Sequence, residues 1–186
     1  MRAGTITPTA NSRAWIDNRG ILGQIVKFQR LVNGVWTDLP PCVDILLSFG
    51  KLRIMGLAWD PLIDDAWPVT APNDNFGHYK LDFWKQFGPP FPLLGNTPTR
   101  VPALPAGPPF PVPAAADADK LAEWDLSALD AGAIPSPYVA PPQPKIYRGE
   151  ACSYDLQLFV TDTTVVNEGT THHVYHQVPL KIINDL

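Results

Sequence analysis

The stretch Cys152-Ser-Tyr-Asp-Leu-Gln-Leu-Phe-Val-Thr-Asp162 decides the fold class. Cys152, Tyr154, Leu156, Leu158 and Val160 share one parity; Ser153, Asp155, Gln157 and Thr161 share the other, with Phe159 the one apolar residue in the polar series. A period of two sends successive side chains to opposite faces of a strand, one buried and one wet. Neither proline nor glycine interrupts the run, so its ladder is intact. The spacing predicts a central strand of a β-sandwich.

The same reading extends outward. Ile25-Val-Lys-Phe-Gln-Arg-Leu-Val32, Asn33-Gly34 and Val35-Trp-Thr-Asp-Leu39 form a β-hairpin, because Asn-Gly accepts the two positive φ angles of a type I′ turn. Cys42 to Phe49 is an apolar run that predicts a further strand. In Leu52 to Asp60, Leu52, Ile54, Gly56 and Ala58 share one face and Arg53, Met55, Leu57 and Trp59 the other. Bulk on both faces predicts a cover over the second. Tyr79, Leu81 and Phe83 point inward from His78–Lys85, with Lys80 and Asp82 outward. Leu121 to Leu129 predicts a strand entering a turn at Asp130-Ala-Gly132, and His172 to Ile183 a last strand that Pro179 assigns to an edge or a bulge.

Twenty-two prolines exceed twice the usual share. Each would cost a helix interior about 3 kcal/mol, so the chain is not mostly helical. They concentrate in 88–116 and 133–149, two long loops or insertions in which X-Pro pairs favour extended backbone and halt sheet growth. The first is expected to lie on the surface, pinned by Phe91 and Phe110; the sharper alternatives are a recognition segment for an aromatic-lined groove and an arm around a neighbouring subunit. Residues 1–20 read as an N-terminal arm. Residues 21–186 read as one all-β domain of about seven to nine strands, with 21–41 as a hairpin extension laid over it.

Leu52-x-Ile54-x-Gly56-x-Ala58, Tyr79-x-Leu81, Trp124-Asp-Leu-x-x-Leu129-x-x-Gly132 and Tyr154-x-Leu156-x-Leu158-x-Val160-x-Asp162 follow one another in order. That succession resembles the immunoglobulin-like or fibronectin-type β-sandwich domains of bacterial surface and secreted proteins. In those domains the glycine turn and the Tyr-x-Leu strand are nearly adjacent; here 133–149 intervenes. The resemblance implies adhesion, spacing or assembly, outside the cell or at its surface, with copies of itself or other surface proteins as partners.

Composition narrows the partners. Hydrophobic residues are 45% and charged residues 17%, and a net charge of −4 offers nucleic acid or an anionic membrane no attraction. No window reaches the roughly 18 to 20 apolar residues of a membrane span. The N-terminus has no apolar signal-peptide core, as expected of a cytoplasmic chain, a mature form or a piece of a longer protein.

Chemistry-bearing residues are sparse. Asp60, Asp64, Asp65 and Asp74, with Asn73 and Asn75, are weak candidate oxygen ligands for calcium, set against the ordinary use of Asp and Asn in turns. His172 and His176 share a strand face but stand roughly 13 Å apart at about 3.3 Å per residue, with His173 opposite, so one tetrahedral metal does not collect them. Gly-x-Ser-x-Gly, a phosphate-cradling glycine loop and His-Glu-x-x-His are all missing, so an enzyme is not expected. Trp59 and Trp84 lie on outward parities and form the carbohydrate-binding alternative, by stacking on sugar rings. Cys42 and Cys152 are either a disulfide closing a loop of about a hundred residues or two small buried hydrophobes. The function expected is a non-enzymatic structural or adhesive building block that associates through arms, loops or edge strands.

Overall fold

Leu156, Leu158 and Val160 are fully buried and Tyr154 nearly so, while Ser153, Asp155, Gln157 and Phe159 stay at least partly in solvent; Thr161, expected on the wet face, is buried. Alternation has thus set the strand's two faces. The computed structural model describes residues 20–62, 67–70, 74–165 and 171–186. The described residues form nine strands: β1 (Leu22–Val32), β2 (Val35–Asp38), β3 (Ile45–Leu46), β4 (Lys51–Trp59), β5 (Phe76–Lys85), β6 (Phe91–Thr97), β7 (Asp119–Asp125), β8 (Ala151–Val165) and β9 (Thr171–Ile183). No helix among them is long and apolar enough to cross a membrane.

The strands build two sheets, one of order β2-β1-β4-β7 and one of order β3-β9-β8-β5-β6, an all-β arrangement of sandwich type. β8 is the middle strand of the larger sheet, antiparallel to β9 from Ala151↔Ile183 to Val165↔Thr171 and to β5 from Phe76↔Asp162 to Lys85↔Tyr154. The apolar faces of the sheets meet. Phe83 of β5 lies 4.6 Å, ring to ring, from Trp124 of β7, and the Tyr79 hydroxyl donates to the Leu121 carbonyl at 2.9 Å. On the opposite flank the Ile25 N–H of β1 donates to His176 Nδ1 of β9 at 3.2 Å. The core between them holds Leu52, Ile54, Leu81, Leu156, Leu158 and Ile182, all fully buried. Each such side chain contributes about 1.5–3 kcal/mol by leaving water.

Several expectations are met. Asn33 (φ 50°) and Gly34 (φ 81°) turn β1 into β2 with Val32 opposite Val35. Pro179 lies in the part of β9 whose outer edge has no partner strand among the described residues, since β3 pairs only with Ile182 and Ile183.

Others are corrected. The hairpin is not an extension laid over a sandwich: β1 pairs with β4 from Leu22↔Trp59 to Arg30↔Leu52 and puts Ile25 in the core. The apolar run Cys42–Phe49 supplies only a two-residue strand, because Leu47–Phe49 curls into a 3₁₀ turn stopped at Gly50. Proline does not keep 88–116 out of the sheet: β6 adds to β5 as the edge strand, where a missing N–H at Pro92 breaks no ladder beyond it. Phe91 and Phe110 do pin this segment, Phe91 at 6.0 Å from Phe83 and Phe110 buried. The expected arm at 1–20, apart from Gly20, and the turn at Gly169 lie outside the described residues.

Candidate functional site

Trp59 cannot serve as a sugar platform, because it is only 2% exposed. It lies on the outward parity, facing away from the main core, but that face is covered. Opposite Gly56 stands Asp119, the first residue of β7; past that point Val101 takes over the edge of β4, exchanging both backbone hydrogen bonds with Ala58 at 2.7 and 2.8 Å. Leu57, Trp59, Leu62 and Phe110 are all buried apart from the main core. Trp84 is half-buried on β5, in the other sheet, so the two tryptophans form no joint surface.

Asp60 and Asp74 of the acidic loop are joined by a cation from the chain itself. Arg100, with its side chain 6% exposed, pairs with Asp74 at 2.7 Å, donates from Nε to the Asp60 carbonyl at 2.9 Å and lies over the Phe76 ring. Asp60 is buried, and Asp64 and Asp65 lie outside the described residues. No three His, Cys, Asp or Glu side chains converge on one point among the described residues.

The histidines are separated as the strand period requires. His172 bonds Asp162 twice, through its N–H at 3.1 Å and its ring at 3.0 Å. His176 accepts from β1, and His173 stacks on Phe159 at 5.3 Å from the other face. Cys42 and Cys152 do not pair: both are free, Cys42 exposed at φ 60° and Cys152 half-buried. The reason is topological, since Cys42 leads into β3, which flanks β9 on the side away from β8. Burial raises the Tyr154 hydroxyl well above its ordinary range while it donates to the Pro144 carbonyl, which ties the 133–149 segment to the central strand. Burial likewise raises Tyr79.

Two features that the sequence reading missed lie side by side. The first is a largely apolar groove of about 580 Å³ on the flank where the sheets part. Val26 and Phe28 of β1 form one wall, Val178 and Leu180 of β9 another, and the crossing segment 39–45 the third, with Ser153 at its margin. It was not legible because three separated segments build it. The second is Phe87, which is 97% exposed. Gly88 N–H donates to the Lys85 carbonyl at 2.7 Å, closing a β-turn in which Phe87 is the third residue at φ 64°. That position normally takes Gly or Asn, because a side chain there crowds its own backbone. Phe87 has the parity of Tyr79, Leu81 and Phe83, so its spacing gives no sign of an exposed position. The turn joins the groove directly: Gln86 N–H donates to the Ser153 carbonyl at 3.0 Å.

No protein-family model, curated protein or solved structure matches this chain.

Proposed function

We infer that the chain is a non-enzymatic building block of a self-associating assembly, a structural or adhesive unit of immunoglobulin-like kind working outside the cell or at its surface. The observation that carries this reading is Phe87. A phenyl ring held in solvent by a strained turn costs free energy in an isolated molecule, both in backbone strain and in exposed apolar surface. Contact with another molecule recovers that cost. Further apolar side chains at the tip of the β1–β2 hairpin, Val35 at 65% exposure among them, and the edge of β9 that no strand pairs with among the described residues add surfaces of the same kind.

Light scattering across a dilution series tests this. The reading expects a species larger than the 20.4 kDa monomer that persists to micromolar concentration, unchanged by reductant because both cysteines are free. A monomer at every concentration overturns it.

A further inference from the structure

Resting on that reading, we propose that two copies of the chain associate about a two-fold axis, each placing Phe87 in the other's groove between β1, β9 and segment 39–45. The occupant is a second copy because knob and socket are both on this chain and are neighbours on its surface. The Phe87 turn is hydrogen-bonded to Ser153, and Ser153 borders the groove. An isologous contact needs that adjacency: when residue i meets residue j of the partner, j meets i across the same axis.

The fit is chemical as well as positional. An apolar cavity of roughly 150 Å³ already holds a benzene ring, and the groove offers about 580 Å³ walled mainly by Val, Leu, Phe and Pro side chains. Its rim charges are matched within the chain, Lys181 with Asp44 at 2.6 Å and Lys27 with Asp38 at 2.8 Å, so an entering phenyl ring strands no ion. Phe87 cannot fold back into its own groove without breaking the turn that holds it, because φ near 64° and the Gly88–Lys85 bond fix its direction. A buried aromatic anchor surrounded by a polar rim is the arrangement that concentrates binding energy at an interface.

Cys42 supplies the test, since its free thiol is exposed and lines the groove. In the Gln86→Cys variant, which keeps the Phe87 ring and alters an exposed neighbour in the same turn, treatment with diamide as oxidant should give a covalent dimer on a non-reducing gel, and peptide mapping should join position 86 of one chain to Cys42 of the other. Val112→Cys, at a site 59% exposed elsewhere on the chain, should give no such link. In a second measurement, Phe87→Gly should weaken association about 30-fold or more, as loss of a central anchor does. It should also raise the melting temperature of the monomer by relieving the turn. A variant that merely damaged the fold would lower both. If the unmodified protein associates but position 86 never links to Cys42, or Phe87→Gly associates normally, the reciprocal contact is wrong and the assembly reading survives. A covalent ladder instead of a dimer overturns the two-fold closure. A monomeric wild-type protein overturns both readings together.

Discussion

At Gly56 the two neighbouring strands come closer than any side chain allows. β4 is paired there on both sides, with Ile25 of β1 and with Asp119 of β7, and a Cβ would collide with the Gln24 carbonyl oxygen and with Leu121 Cδ1. Backbone cannot give way as a flexible side-chain end can, so Gly56→Ala is expected to destabilise the protein by about 1–3 kcal/mol, as overpacking does. Urea unfolding checks it, and a midpoint unchanged from wild type would mean the strands part more easily than the packing implies. The sequence marked Gly56 as an inward position but could not show that both neighbours close upon it. Trp59 teaches the same limit. Parity tells which face a side chain takes, and Trp59 lies on the face away from the main core; that this face is itself covered, leaving Trp59 2% exposed, is beyond what parity can report. Phe87 shows the converse limit: it has the parity of a core series, but β5 ends at Lys85 and parity assigns no face beyond it.

At the scale of elements the sequence was most legible where one local rule suffices. Asn33-Gly34 carries its own turn, and the alternation in β5 and β8 carries its own faces, so both appear where the residues put them. Elements defined by their partners were not legible: β3 exists only because β9 offers Ile182 and Ile183, and β6 only because β5 has a free edge. The chain's end is fastened in this second way. Asn184 donates to Asp130 at 2.7 Å and to the Ile146 carbonyl at 3.0 Å, and Gly132 N–H donates to the same Asp130 oxygen at 2.8 Å. These donors, Asn184 foremost, hold the Asp130 carboxyl below its ordinary value. A carboxylate depressed in the folded state adds stability above its unfolded pKa, about 3.9, and that stability disappears as pH falls through the folded value. Asp130→Asn keeps the amide contacts without the titration. Its urea midpoint should therefore fall less than that of wild type between pH 5 and the acid limit. Asp38, Glu123, Asp125 and Asp185 are also lowered, so the variant's acid limb should become shallower but not flat. Parallel limbs for the two proteins would remove Asp130 from the account.

At the scale of the whole molecule the question is which parts can be removed. Read as a sequence, residues 21–41 look detachable: a hairpin complete in itself, followed by Pro40-Pro41. The structure gives β1 three roles that a detachable hairpin would not have. It pairs with β4 along eight residue positions, it places Ile25 in the core, and it bonds β9 of the opposite sheet through His176. Without it, the smaller sheet keeps only β4 and β7 of its four strands, and one face of the core opens to water along β8 and β9. A two-stranded remnant is marginal by itself, and here it would also have to cover a five-stranded sheet. A chain beginning at Cys42 should therefore lose cooperative unfolding and dispersed amide resonances. Adding a synthetic peptide of residues 20–41 should restore both, since the missing strand re-pairs along an exposed edge. If the shortened chain instead unfolds cooperatively with near-native stability, the hairpin is an appendage after all, and the groove it walls would be a seam between two independent parts.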